Sequence, residues 1–125
     1  MGAIAKIRLE LAREKEHPEG DRAIGYEFKA PLDRNGKIDA ERWQLMRDRC
    51  QVRRFRDDCE DEVGHLVRKG GGSWAFHYDV HGDPQNDEAG FKFGDHQFKV
   101  GEYVSVREDD ELRPYRVASV KLGLG

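Results

Sequence analysis

Apolar and polar residues alternate along residues 3–12, which have the sequence AIAKIRLELA. Successive side chains of a β-strand point to opposite sides, so this alternation predicts a strand with one buried face. Ile7 and Leu9 lie on the face that we expect to be buried, whereas Lys6 and Arg8 lie on the face that we expect to contact water.

Further short segments of the same kind predict about seven more strands, since turn residues separate them. They lie at 24–32, 51–56, 61–69, 73–80, 91–93, 103–106 and 114–120. Three glycines at 70–72 predict a hairpin turn, across which His65 and His77 are expected to face each other. The acidic sequence EDDE at 108–111 is expected to cap a second hairpin.

One segment has the pattern of a helix. Asp39 is a suitable N-cap residue, and Ile38 with Trp43 matches the spacing of a hydrophobic staple. Residues 39–50 are therefore predicted to be helical, with Trp43 and Cys50 on the buried face.

The pattern as a whole predicts a mainly β protein of the α+β class. We expect a small antiparallel β-barrel or a strongly curled sheet, in which one capping helix at about 39–50 covers an open end. No linker or internal repeat interrupts the sequence, so residues 1–125 are predicted to form a single domain.

The segment 98–120 resembles the hairpin of small SH3-like β-barrel modules. Gly101 and Glu102 come before an alternating strand that contains Val104 and Val106, and a second strand follows. The resemblance implies a small β-barrel that binds peptides or nucleic acids rather than an enzyme. The acidic end of this hairpin departs from the nucleic-acid-binding members.

Composition narrows the classes of function. Charged residues make up 38% of the chain, against about 25% in an average domain. The net charge is −3 and the pI about 6.0, which disfavours a protein built to neutralise phosphates. No apolar segment approaches the length of a membrane span. We therefore expect a cytoplasmic protein that does not associate with membranes.

The most basic stretch of the chain is 42–56, and the acidic stretch 57–62 follows it directly. The simplest expectation is that the two neutralise each other on the surface. The alternative is a face that binds a partner, most plausibly another protein. The residues predicted for that face are Arg47, Arg49, Arg53, Arg54 and Arg56. A third possibility is weak binding of nucleic acid, because Trp43 and Phe55 are interleaved with these arginines.

A strand with regularly spaced ligand-type side chains is the candidate metal site. His77, Asp79 and His81 are each two residues apart, so all three would lie on one face. We expect 74–80 to pair with 91–97 in a register that sets Asp79 opposite Lys92. An ammonium group at that position would repel a divalent cation.

No motif for nucleophilic catalysis or for cofactor binding occurs, so the sequence predicts no cofactor and favours a non-enzymatic role. The leading hypothesis is a binding module for a protein partner. The alternatives are a metal-dependent protein that uses the candidate metal strand and a weak nucleic-acid binder.

Overall fold

The computed structural model describes residues 3–56, 59–69, 73–79, 88–91, 93, 96–108 and 111–124. Within these ranges the chain forms eight β-strands, one α-helix and one 3-10 turn. The strands are β1 (Ala3–Leu11), β2 (Asp21–Ala30), β3 (Gln51–Arg56), β4 (Cys59–Arg68), β5 (Trp74–Tyr78), β6 (Glu88–Phe91), β7 (Tyr103–Glu108) and β8 (Glu111–Leu124). The helix is α1 (Ala40–Met46), and the 3-10 turn Arg47–Arg49 follows it.

Each strand pairs in antiparallel fashion with the next one along the chain, and β8 pairs with β1 to close a barrel. The predicted mainly β fold with one short helix is therefore confirmed. The β4–β5 hairpin is also confirmed, since His65 lies opposite His77. The glycines at 70–72 lie outside the described residues.

The alternation of the first strand decides which side chains enter the barrel. Ile7 and Leu9 are fully buried, whereas Lys6 of the same strand is exposed. The apolar side chains gain free energy by leaving water, so each strand turns its apolar face inward.

Aromatic rings fill the interior of the barrel. Phe28 lies at its centre, with ring centroids 5.2 Å from Phe76, 6.1 Å from Phe93 and 5.7 Å from Phe98. Tyr26 extends this cluster towards one end, since its ring centroid lies 5.0 Å from that of Phe76. Phe28 and Phe93 are stacked and the other three pairs are tilted or edge-on, and arrangements of these kinds are favourable for aromatic pairs.

The helix packs against one end of the barrel, as predicted. The side chain of Asp39 accepts a hydrogen bond from the backbone N–H of Arg42 at 3.1 Å and so caps the helix. The indole of Trp43 donates to the carbonyl of Leu66 at 3.0 Å, and its ring packs edge-on against Trp74. Among the described residues, no helix has both the length and the apolar character needed to cross a membrane.

The predicted register between β5 and the following strand is wrong. Trp74 lies opposite Gly90 and Phe76 opposite Glu88, so the pairing begins earlier in the chain than expected. The prediction assumed that Phe93 must occupy a position in the strand to be buried. Phe93 is instead buried from beyond the end of β6, so its burial does not set the register.

Replacing Trp43 by alanine should lower the free energy of unfolding by about 3–5 kcal/mol, because the change leaves a cavity and an unpaired carbonyl. Urea denaturation would measure this loss. Leu45 lies on the same helix but is 87% exposed, and Leu45→Ala should change the free energy by no more than about 0.5 kcal/mol. Equal losses in the two variants would contradict the packing of α1 onto the barrel.

Candidate functional site

Three lysines lie side by side on the outer face of the barrel. Lys6 of β1 is opposite Lys29 of β2 on one side and opposite Lys121 of β8 on the other. Directly opposed side chains emerge on the same face about 5 Å apart, and like charges in such pairs are destabilising. Lys6 Nζ lies 3.4 Å from Glu27 Oε1, but neither Lys29 nor Lys121 makes an ion pair with any described residue.

The same row of outward positions continues over three more strands. The register of β2 and β3 sets Lys29 beside Gln51, which in turn lies opposite His65 of β4. His77 of β5 completes the row opposite His65. Neighbouring strands are about 4.8 Å apart, so the six positions span roughly 24 Å. We call this set the basic row: Lys121, Lys6, Lys29, Gln51, His65 and His77.

The carboxylate of Glu27 pairs with three cations in and beside the basic row. The carboxylate of Glu27 lies 3.4 Å from Lys6 Nζ, 3.8 Å from Arg8 Nη1 and 3.4 Å from Arg53 Nη2. The guanidinium groups of Arg8 and Arg53 also lie over the ring of Phe55, at 4.3 Å and 5.1 Å from its centroid. Arg8 and Arg53 also pair with Glu10 and Asp61, so the charges of this cluster are balanced. Among the described residues, the lysines of the basic row without an ion pair are Lys29 and Lys121.

A groove of about 390 Å³ runs beside the basic row. Its lining includes Val63, which is 53% exposed, and Gly64, with Lys29 and Gln51 at its border. A Cβ atom at Gly64 would collide with the carbonyl oxygen of His77, so the close approach of β4 and β5 requires glycine there. The carboxylates of Glu27 and Asp79 line the groove as well, so it combines an exposed apolar contact with side chains of both charges.

The five arginines predicted to form one interaction face do not lie together. Arg47 and Arg49 are exposed in the 3-10 turn after α1. Arg53 points outward from β3, next to the basic row, and lines the groove. Arg54 and Arg56 line a different cleft, of about 620 Å³, at one end of the barrel.

Two of these arginines form ion pairs with the acidic stretch that follows them. Arg53 Nη1 lies 2.7 Å from Asp61 Oδ2, and Arg56 Nη2 lies 3.0 Å from Glu62 Oε1. The expectation that the basic and acidic stretches neutralise each other is therefore confirmed for these two pairs. A role of the arginines in binding a partner stays a prediction.

One residue of the candidate metal strand contacts a histidine of the neighbouring strand. Asp79 Oδ1 lies 3.0 Å from His65 Nδ1 of β4, and Lys92, the predicted partner of Asp79, lies outside the described residues. His81 lies outside the described residues, and His77 shares the basic row with His65. No three potential ligands among the described histidines, cysteines and carboxylates are grouped to hold a metal ion. The metal site at His77, Asp79 and His81 stays a prediction.

A buried carboxylate lies at the end of the barrel where the cleft opens. Glu108 is 5% exposed and accepts hydrogen bonds from the hydroxyl groups of Tyr26, at 2.8 Å, and Tyr115. Arg54 Nη2 donates to the same carboxylate at 2.8 Å, and Arg113 Nη1 lies 3.5 Å away. A buried charge is tolerated when it is paired and hydrogen-bonded in this way. We call these five residues the mouth cluster.

The mouth cluster continues into the connection between β1 and β2. Arg113 Nη2 lies 2.5 Å from Glu14 Oε1, and the same oxygen lies 3.1 Å from His17 Nδ1. The hydrogen bond from Arg113 lowers the pKa of the Glu14 carboxyl. Burial, reinforced by the charge of Glu108, raises the pKa of Tyr115, so its hydroxyl remains a hydrogen-bond donor.

Neither the mouth cluster nor the basic row was predicted from the sequence. Glu108 was assigned to an acidic hairpin end, although it is in phase with the buried Val104 and Val106. That alternation was a usable signal. The basic row had no comparable signal, because its members come from six strands and meet only through the observed registers.

We compared the chain with protein-family models, with curated proteins and with solved structures, and none of the three comparisons gave a match. The resemblance of the segment 98–120 to SH3-like modules therefore stays a prediction. The function has to be argued from the surface chemistry.

Replacing Glu108 by alanine should lower the free energy of unfolding by about 3–5 kcal/mol, because the partly buried guanidinium of Arg54 loses a close carboxylate and the hydroxyls of Tyr26 and Tyr115 lose this acceptor. Chemical denaturation would measure the change. Glu111→Ala removes the same charge from an exposed position opposite Glu108 in the hairpin. Its effect should stay within about 0.5 kcal/mol. A similar loss in both variants would show that net charge, and not the buried network, is responsible.

The lowered pKa of Glu14 predicts a contribution to stability that depends on pH. The contribution is present above the ordinary pKa of 4.5 and is lost as the pH falls through the lower pKa of the folded state. Urea midpoints measured from about pH 6 down to about pH 3 should therefore fall less steeply for Glu14→Gln than for the unaltered protein. Glu16→Gln is the control variant, because Glu16 lies in the same connection but is exposed. Parallel curves for the protein and Glu14→Gln would contradict the prediction.

Proposed function

We propose that this protein is a non-catalytic binding domain that holds an acidic segment of a protein partner along the basic row. The observation that supports the proposal is the direct opposition of Lys29, Lys6 and Lys121 on adjacent strands. Two of these three ammonium groups have no ion pair among the described residues. Carboxylates of a partner would relieve the repulsion that this arrangement creates.

The groove beside the row supports a peptide as the partner. Val63 offers an exposed apolar contact, and Lys29 and Gln51 lie at the border of the same groove. Buried apolar contacts contribute to affinity, whereas surrounding charges mainly contribute to specificity and to the rate of association. A segment that alternates acidic and aliphatic side chains matches both features.

Nucleic acid is a poorer match to the same surface. Single strands are held by aromatic side chains on which bases stack. Trp43 and Phe55, the aromatic residues of the basic stretch, are 8% and 7% exposed. The net charge of −3 also opposes binding to a polyanion of high charge density.

A fluorescent peptide of alternating glutamate and valine is the probe for this proposal, with binding measured by anisotropy at two salt concentrations. The peptide should bind the protein, and the affinity should fall as salt rises. The double variant Lys6→Glu/Lys29→Glu should weaken binding by at least about tenfold, because it replaces two attractions by two repulsions. Circular dichroism would verify that the variant is folded.

The matched control changes the same number of charges elsewhere. Arg13 and Lys15 are exposed in the connection between β1 and β2, away from the basic row. Arg13→Glu/Lys15→Glu should leave the affinity within about twofold, because distant exposed charges are screened by salt. Equal weakening by the two double variants would overturn the proposal. Tighter binding of a single-stranded RNA of equal length would identify nucleic acid as the partner instead.

A further inference from the structure

Strand β8 extends beyond the strand that pairs with one of its edges. Its pairing with β7 runs from Glu111 to Arg116, and backbone hydrogen bonds of Val117 with Gly101 and Glu102 continue it by one residue. Its pairing with β1 continues to Leu124. Residues 119–124 therefore pair on one edge only, and no described residue bonds to their other edge. We call residues 119–124 the β8 overhang.

The β8 overhang leaves an apolar side chain in water. Leu122 is 74% exposed, although it lies opposite Ala5, which is fully buried. Lys121 and Gly123 on either side of it are exposed as well. Leu122 therefore lies on the core-facing side of β8 and keeps most of its aliphatic surface in contact with water.

The overhang lacks two of the features that normally protect a strand edge. It contains no proline, and the irregularity in the β1–β8 pairing lies before it, between Arg8 and Leu9 of β1. Lys121 is its only charged residue. An edge with unpaired backbone groups is a template for another strand. Because β1 already holds the overhang in an extended form, a partner strand would bind without ordering it first.

The pattern of residues in the overhang matches a second copy of itself. In a two-fold antiparallel pairing centred on Leu122, Leu122 of one copy lies opposite Leu122 of the other. Lys121 of each copy then lies opposite Gly123, which avoids two directly opposed ammonium groups. A register centred on Lys121 would oppose two like charges and is disfavoured.

We propose that two copies of this protein associate through their β8 overhangs to form one antiparallel sheet that continues from one barrel to the other. The contact is isologous, since the same edge serves both copies. Its core is the pair of Leu122 side chains, each of which leaves water on association. The two Lys121 side chains remain diagonal neighbours across the contact, so added salt should strengthen the association by screening them.

Sedimentation equilibrium tests this proposal with two variants of opposite charge. Leu122→Glu and Leu122→Lys should each weaken self-association by about thirtyfold or more, because apolar contact is lost and like charges are opposed. An equimolar mixture of the two variants should recover a dimer, since glutamate and lysine then face each other. This recovery separates a lost interface from a lost fold, because a misfolded variant would not be rescued by its counterpart.

Leu45→Glu is the control, since Leu45 is 87% exposed on α1 and lies outside the overhang. It should leave the association within about twofold of the original. A protein that stays monomeric at millimolar concentration, a dimer unaffected by both Leu122 variants, or a mixture that does not recover would each overturn the proposal. None of these outcomes depends on the acidic peptide, so the test is independent of the proposed partner.

Discussion

Closure of one sheet around a cluster of aromatic rings is the constraint on which the rest of the structure depends. Phe28, Phe76 and Phe93 occupy a single interior, so each strand that borders it must turn its apolar side inward. A shift of one residue in any strand would move its apolar residues into water. Burial of the inner side chains therefore determines the registers. The registers in turn determine which side chains are neighbours on the outer face.

The outer face shows what this constraint imposes. The registers that bury Ile7 and Phe28 also bring Lys6 beside Lys29 and Lys121. Like charges in direct opposition are unfavourable, and among the described residues only Lys6 of the three has a nearby carboxylate. The free energy gained by burying the interior exceeds this cost. The ammonium groups of Lys29 and Lys121, which have no ion pair among the described residues, are the groups that the proposed binding function uses.

The interior of the barrel is closed differently at its two ends. At one end, α1 covers the interior with Trp43, whose indole N–H has a backbone partner. At the other end, the inward position of β7 is occupied by Glu108, and hydroxyl and guanidinium groups surround it. The acid orients Arg54 and Arg113 at the border of the cleft. An aliphatic residue could fill the space but would take this carboxylate away from both guanidinium groups, while Arg113 would keep its ion pair with Glu14.

Alternation and capping signals were sufficient to predict most of the strands, the start of the helix at Asp39 and the mainly β class, because these features depend on neighbours within a few residues. The strand predicted at 91–93 is the exception, since β6 is Glu88–Phe91. The position of Glu108 was also present in that alternation. The register between β5 and β6 could not be predicted from that alternation, because Phe93 is buried without being part of a strand. The basic row and the β8 overhang depend on which strands become neighbours and how far each one extends. Those relations are decided only when the sheet closes, since they minimise the free energy of the whole interior rather than of any single segment.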